Sequence, residues 1–228
     1  MFFHFASVVS LAVKTILTCV KGFYYLMNDW KSLKVERQEN LAVVQFIRPE
    51  IKNPLSIETL VEIKQIFTFL DSNPAIAIII FTGSGDAFAS GANIKEISQT
   101  AADNAREFAL RGQNLMQRIY RSNKLTVAAI DGFCMGGALD LALSCKTRIA
   151  NSRSVFAHPG ANLGIVTGWG GTQLLPRLVG EAKALEMFLT AKRVEANEAL
   201  RIGLIDKISA NPLDEAKEYV NLSLLKRG

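Results

Sequence analysis

Leu125–Asn151 reads LTVAAIDGFCMGGALDLALSCKTRIAN, and the order of its parts decides the fold. Leu125 to Ile130 is a short, partly β-branched apolar run closed by Asp131-Gly132, the pattern of a buried strand. A turn of small residues follows, and Gly136-Gly137-Ala138 then opens a helix expected to run to about Ser144. Residues with little or no side chain at a helix start let a ligand approach backbone N–H groups that have no acceptor inside the helix. The helix dipole favours negative charge at the same place. Asp140 stands one turn in. Strand, glycine turn, helix start and carboxylate together suit a site that holds an anion and moves a proton beside it.

Upstream, Leu33 to Glu36 and Leu41 to Phe46 read as two strands around the polar turn Gln38-Glu39-Asn40. Arg48 to Pro54 is a loop, and Ser56 has the character of an N-cap for a helix that Asn73-Pro74 stops. Ile76 to Thr82, IAIIIFT, is the kind of strand buried on both faces. The glycine-rich loop Gly83 to Lys95 ends in Ala92, ahead of a short helix expected over Asn93 to Ile97. It matches neither the dinucleotide pattern nor the P-loop, so hydride transfer and nucleotide hydrolysis lack support. Ala101 to Arg121 reads as a long amphipathic helix.

Downstream, Arg148 to Ala150 and Val155 to Ala157 are short apolar pieces, and His158-Pro159-Gly160 follows them. A second glycine loop spans Gly168 to Thr172. Helices at Glu181 to Thr190 and Glu195 to Ile202 lead to a last strand expected at Leu204 to Ile208, and the tail is one helix at most. Strands alternating with helices predict a mainly parallel, wound α/β domain.

The 228 residues fit one sizeable domain, and 49% hydrophobic with 21% charged residues is ordinary for a soluble α/β chain. The net charge of +5 mildly favours anionic ligands, but no Arg/Lys cluster with interleaved aromatics points to nucleic acid. Cys19, Cys134 and Cys145 carry no metal or disulfide spacing, so no metal site is expected and a reducing, cytoplasmic location is the simpler reading. Residues 1–26 form an apolar leader interrupted by Lys14 and Lys21. Three readings stay open for it: sequence upstream of a start at Met27, a membrane-surface or spanning anchor, and a cleaved signal. Contact with a membrane surface is expected only through this leader.

Four motifs in order give the chain a strong resemblance to the crotonase (enoyl-CoA hydratase/isomerase) superfamily. They are Phe88 to Lys95 (FASGANIK), Ala129-Ile130-Asp131-Gly132 with Gly136-Gly137, Gly168 to Thr172 with Leu175-Pro176-Arg177-Leu178, and Ala199 to Ile205 (ALRIGLI). The resemblance implies a spiral of ββα units, here with a shortened C-terminal helical region. The expected division is the leader over 1–26, a crotonase-like acyl-CoA-binding domain over 27–209 and a truncated helix over 210–228. The resemblance also implies acyl-CoA thioester substrates, trimers or dimers of trimers, and no cofactor beyond the CoA that the substrate carries. Its oxyanion hole, two backbone N–H groups that hold the thioester oxygen as it becomes an enolate, falls on Ala92 and Gly137. CoA contacts fall on the backbone from Ala92 through Asn93 and Ile94 to Lys95 and on the loop from Lys52 to Leu55, with Lys52 and Lys95 available to phosphates.

Hydratases of the superfamily use two glutamates, and both positions depart from that pattern. The first is Asp140, whose reach is shorter by more than an ångström; misplacement on that scale can cost about 100-fold. The second is Gly160, which carries no acid or base. An acidic residue in a first helical turn also stabilises the dipole without any chemistry. His158, two residues before Gly160, shares a face with it if the segment is extended and is then a substitute acid or base, whereas Pro159 favours a turn. Trp169 is bulkier than the usual occupant of its loop and either narrows the acyl pocket or packs. The expected activity is therefore enoyl-CoA hydratase/isomerase-type, with single-carboxylate chemistry such as isomerisation easier to support than full hydration. From a different class, a weakly active or non-catalytic acyl-CoA-binding or oligomerisation protein remains open.

Overall fold

The computed structural model describes residues 30–225, and its fold is built by the unit that begins at Ser32. The expectations for residues 1–26 lie outside the described residues. The expected hairpin forms β1 (Leu33–Gln38) and β2 (Leu41–Phe46), antiparallel from Leu33 opposite Phe46 to Gln38 opposite Leu41. A 3-10 turn, Pro49–Ile51, leads to β3 (Pro54–Leu55). Helix α1 (Ile57–Ser72) starts where Ser56 Oγ accepts the Thr59 N–H at 3.1 Å, a cap worth about 1 kcal/mol. Leu60, Ile63, Phe67 and Leu70 follow at helical spacing and are buried. Strand β4 (Ile78–Thr82) is buried at every position and pairs parallel with β2.

From β4 onward the chain repeats one manoeuvre: a strand in a first sheet, a shorter strand in a second sheet, then helix. After β4 come β5 (Ala87–Ala89), β6 (Gly91–Ala92), α2 (Ile94–Gln99) and α3 (Ala102–Arg121). The next turn is β7 (Leu125–Ile130), β8 (Phe133–Met135) and α4 (Gly137–Ser144). The third is β9 (Thr147–Ala150), β10 (Val155–Ala157), a 3-10 turn over Pro159–Leu163, α5 (Gly171–Val179) and α6 (Glu181–Thr190). Strand β11 (Val194–Glu195), α7 (Ala196–Arg201), β12 (Lys207–Ile208) and α8 (Pro212–Leu225) complete the chain. The first sheet runs β1-β2-β4-β7-β9-β12, parallel from β2 to β12, and the second runs β11-β10-β8-β5. This is the wound α/β spiral that the motifs implied. Ala216 of α8 joins Val43, Ile80, Val127 and Ile149 in the core on one face of the first sheet. No helix among the described residues is long and apolar enough to cross a membrane.

Four local expectations need correction. The stretch after Asp131-Gly132 is a strand, β8, and the loop after β4 holds β5 and β6. Helix α5 begins inside the glycine loop expected over Gly168 to Thr172 and runs on through residues for which no helix was expected; glycines at its start and Pro176 inside it disguise it. The last strand is two residues long, because the N–H groups of Leu204 and Ile205 already donate to the Ala199 carbonyl at the end of α7.

Candidate active site

Pairing in the second sheet assembles the site. Strands β8 and β10 run parallel with Met135 opposite Ala157, so the Gly136-Gly137 turn lies beside His158. Gly136 takes φ 54° with ψ −122°, a conformation open to glycine, and its N–H donates to the Ala157 carbonyl at 2.8 Å. The Ala92 loop reaches the same point from β6. A methyl group on Gly91 would fall 2.5 Å from the Met135 carbonyl oxygen and 3.1 Å from the Gly137 nitrogen. Glycine there lets the two loops close on each other. Ala92 and Gly137 consequently line one cavity of about 340 Å³, with its remaining wall largely apolar: Ile97, Phe108, Ile165, Trp169 and Phe188. Gly137 is the first residue of α4, where its N–H has no intrahelical acceptor.

His158 lines this cavity and is only 2% exposed. Its ring lies 5.1 Å, centroid to centroid, from that of Phe188 in α6. Asp140 is fully buried and lies outside the cavity lining. Its Oδ2 accepts a hydrogen bond from the Thr167 hydroxyl, and its Oδ1 faces His158 Nε2 at 3.6 Å. That distance exceeds a hydrogen bond. Oδ1 and both ring nitrogens of His158 are buried without a hydrogen-bond partner.

Burial raises the Asp140 carboxyl to about 7, opposed by the Thr167 hydroxyl and by the backbone N–H dipoles of Trp169 and Gly171. Burial lowers the His158 imidazole to about 4. Cys134, in β8, feels the Asp140 charge and is pushed far up by burial, so its thiol stays neutral. At neutral pH the pair is thus a neutral imidazole beside a half-ionised carboxyl, a combination able to store one proton. Gly171 must be small for this pair to exist, since a methyl group there would fall 2.1 Å from Asp140 Oδ1.

The expected site residues divide into two groups. Ala92, Ile94, Gly137, His158 and Gly160 line the cavity. Lys52, Asn93 and Lys95 do not: Lys52 pairs with Asp86 at the surface, Asn93 caps α2 by accepting the Lys95 N–H at 3.0 Å, and Lys95 is exposed. Gly160 lies in the 3-10 turn that Pro159 begins, so the extended arrangement with His158 does not form. A side chain at 160 would start 2.6 Å from the Ile165 carbonyl oxygen, which leaves no room for a second carboxylate without moving that loop. Trp169 both lines the cavity and packs, filling space over Gly112 and Gly137. Sequence reasoning missed Thr167, Phe188 and Phe108. The one signal for a neighbour of this kind was Gly112, a glycine inside a long helix, which marks a close approach. A larger hollow, about 1090 Å³, opens at the starts of β4, β7 and β9, away from these groups. Ligand sites in parallel sheets sit instead beyond the strands' carboxyl ends, where the smaller cavity lies.

The family profile described as enoyl-CoA hydratase/isomerase matches residues 36–222. A crotonyl-CoA hydratase of Syntrophomonas wolfei is 42% identical over 180 residues, covering 78% of this chain and 69% of that protein. A short-chain-enoyl-CoA hydratase of Clostridium acetobutylicum is 36% identical over 190 residues, covering 82% of this chain and 73% of its own. Among solved structures, Pseudomonas aeruginosa DspI superposes with a TM-score of 0.79 at 33% identity, over 87% of this chain and 75% of that one. An enoyl-CoA hydratase of Thermoplasma volcanium gives 0.79 at 31% identity, over 86% and 78%.

Proposed function

The chain belongs to the enoyl-CoA hydratase/isomerase family, and we propose that it shifts the double bond of an enoyl-CoA thioester by moving a single proton. The observation that carries this reading is that no acid lines the cavity among the described residues: Asp140 stands behind His158, and position 160 has neither an acid nor space for one. In this reading the N–H groups of Ala92 and Gly137 hold the thioester oxygen as the enolate forms. Such donors are worth about 100-fold or more each, and the apolar wall strengthens them. Asp140, with its carboxyl raised to about 7, is the proton store. Isomerisation removes and returns one proton, so one acid–base group is enough. Hydration must also place and split a water, for which the family's pattern uses the second acid. The substrate class is an acyl-CoA, and the relatives' names make crotonyl-CoA the first ester to compare. An apolar hollow beside the cavity, lined by Val166, Leu185, Phe188 and Leu189, is surface of the kind that a trimer would cover.

The test is to mix the purified chain with crotonyl-CoA and with a 3-enoyl-CoA, with Asp140→Asn alongside. Conversion of the 3-enoyl ester to the 2-enoyl ester is expected to outrun hydration, and Asp140→Asn is expected to lose it by about 100-fold or more. Hydration as fast as isomerisation would overturn the reading. Binding of both esters without turnover would favour the non-catalytic acyl-CoA-binding class.

A further inference from the structure

Asp140 is enclosed, and none of its surface reaches the cavity where an acyl chain would lie. A proton passing between the two needs a carrier. His158 occupies that position: it lines the cavity, its Nε2 faces Asp140 Oδ1 at 3.6 Å, and its Nδ1, buried in the ligand-free fold, has no partner and needs a turn of the ring to meet an acyl chain. Buried polar atoms without partners are uncommon, and three of them on two facing side chains single this pair out from the rest of the core. Catalytic hydrogen bonds are often long in ligand-free structures and tighten around substrate.

We propose that His158 is the catalytic base and acid that exchanges a proton with the acyl chain, with Asp140 as the positioning residue that orients its ring; this rests on the acyl-CoA reading above. With Asp140 ionised, the neutral ring keeps its proton on Nε2, and Nδ1 is the base. The C2–H bond of the thioester breaks as an Nδ1–H bond forms. The electron pair moves to the thioester oxygen, where the N–H groups of Ala92 and Gly137 receive the charge. The ring becomes an imidazolium beside a carboxylate, which stabilises it as in other Asp–His pairs. In isomerisation Nδ1 gives the proton to C4; in C2 exchange the imidazolium first trades that proton for a solvent deuteron and returns the deuteron to C2, and no oxidant or second acid is consumed. The Thr167 hydroxyl fixes Oδ2 and so aims Oδ1 at the ring, while Phe188 holds the ring's other side. The Cys134 thiol, kept neutral by burial and by the Asp140 charge, takes no part.

The test uses butyryl-CoA, a saturated ester with no double bond to shift or hydrate, in deuterium oxide with the full chain. Exchange of its C2 protons is followed by NMR for the wild type, His158→Gln and Asp140→Asn. The wild type is expected to exchange, with a rate that rises through about pH 7. His158→Gln is expected to lose about 100-fold or more while still binding the ester. Asp140→Asn is expected to slow exchange and abolish the pH step, a change that a merely structural role would not make. Undiminished exchange in His158→Gln, or none in the wild type, would overturn the proposal. Should His158→Gln fail to bind the ester, the Asp140→Asn profile decides: a retained step near pH 7 overturns it, a lost step with binding intact supports it. Histidine-dependent exchange without conversion of the 3-enoyl ester would sink the isomerase reading and leave His158 in its role. Conversion that survives in His158→Gln does the reverse.

Discussion

At the scale of single residues, the site is an electrostatic compromise between two buried groups with opposed titrations. Asp140 goes from an ordinary 3.8 to about 7 in the fold, so between those values the native state holds a proton that the unfolded chain has lost. Its contribution therefore falls as pH rises from about 4 to 7, by about 1.4 kcal/mol per pH unit at most. His158 goes from 6.5 to about 4, so between those values the unfolded chain holds the extra proton and stability rises with pH. The two slopes oppose each other and nearly cancel up to about pH 6.5. Single substitutions expose them separately. Urea unfolding of His158→Gln between pH 4.5 and 7.5 is expected to show stability falling with pH, and Asp140→Asn to show it rising up to about 6.5. Parallel pH profiles for the two variants would mean that the carboxyl and the imidazole do not titrate as a buried pair. Both members of this pair were legible, Asp140 by its place one turn after Gly137 and His158 as a substitute acid or base two residues before Gly160. The contact between them was not, because only the β8–β10 pairing brings those positions together.

At the scale of elements, legibility followed length. IAIIIFT and LTVAAI are continuous apolar runs, and the strands they form were found with at most two residues of error at one end. Strands β5, β8 and β10 are three residues each, too short for a period-of-two pattern to register, so β5 and β8 were read as loop and turn while β10 was marked only as the short apolar piece Val155 to Ala157. The loop before α5 gains its shape from packing of a different kind. Trp169 lies against Phe108 with ring centroids 5.6 Å apart, and Gln113 holds the Gly168 carbonyl at 2.8 Å. A methyl group on Gly112 would fall 2.2 Å from the indole, which is itself backed by Gly137. Gly112→Ala gains about 1 kcal/mol of helix propensity but forces an overpacking cost of about 1–3 kcal/mol. The net expectation is mild destabilisation, with the indole displaced toward the cavity and acyl-CoA binding weakened. In a Trp30→Phe background only Trp169 fluoresces, and a shifted emission maximum would report the displacement. Unchanged emission and unchanged ester binding would show that the indole does not set the cavity wall.

At the scale of the whole molecule, the stability of the fold depends on how one edge of the first sheet is closed. Strand β12 adds to β9 through only Lys207 opposite Ile149 and Ile208 opposite Ala150, too little ladder to hold an edge by itself. The Asp206 and Ser209 N–H groups add bonds to the Arg148 and Ala150 carbonyls at 2.9 Å, and Arg148 with its side chain supplies the rest. Its buried guanidinium donates to the Cys145 carbonyl, the Leu204 carbonyl and Asp206 Oδ2 at 2.8–2.9 Å, and its own backbone N–H reaches the same carboxylate at 2.8 Å. One side chain thus ties the end of α4, the strand β9 and the segment before β12. Removing a buried member of such a set leaves acceptors unpaired and costs about 3–5 kcal/mol, more than the pair contributes relative to apolar neighbours. Arg148→Met is therefore expected to lower urea stability by about 3 kcal/mol. Asp206→Asn keeps an acceptor oxygen on a half-exposed side chain and is expected to cost about 1 kcal/mol. Since none of these atoms lines the cavity, the C2-exchange rate per folded molecule is expected to stay within about threefold of wild type, well inside the effect of a lost acid–base group. A large stability loss for Asp206→Asn alone would move the anchor from the arginine's backbone contacts to the ion pair. Equal stability of Arg148→Met and wild type would mean that apolar packing by α7 and α8 already closes the edge.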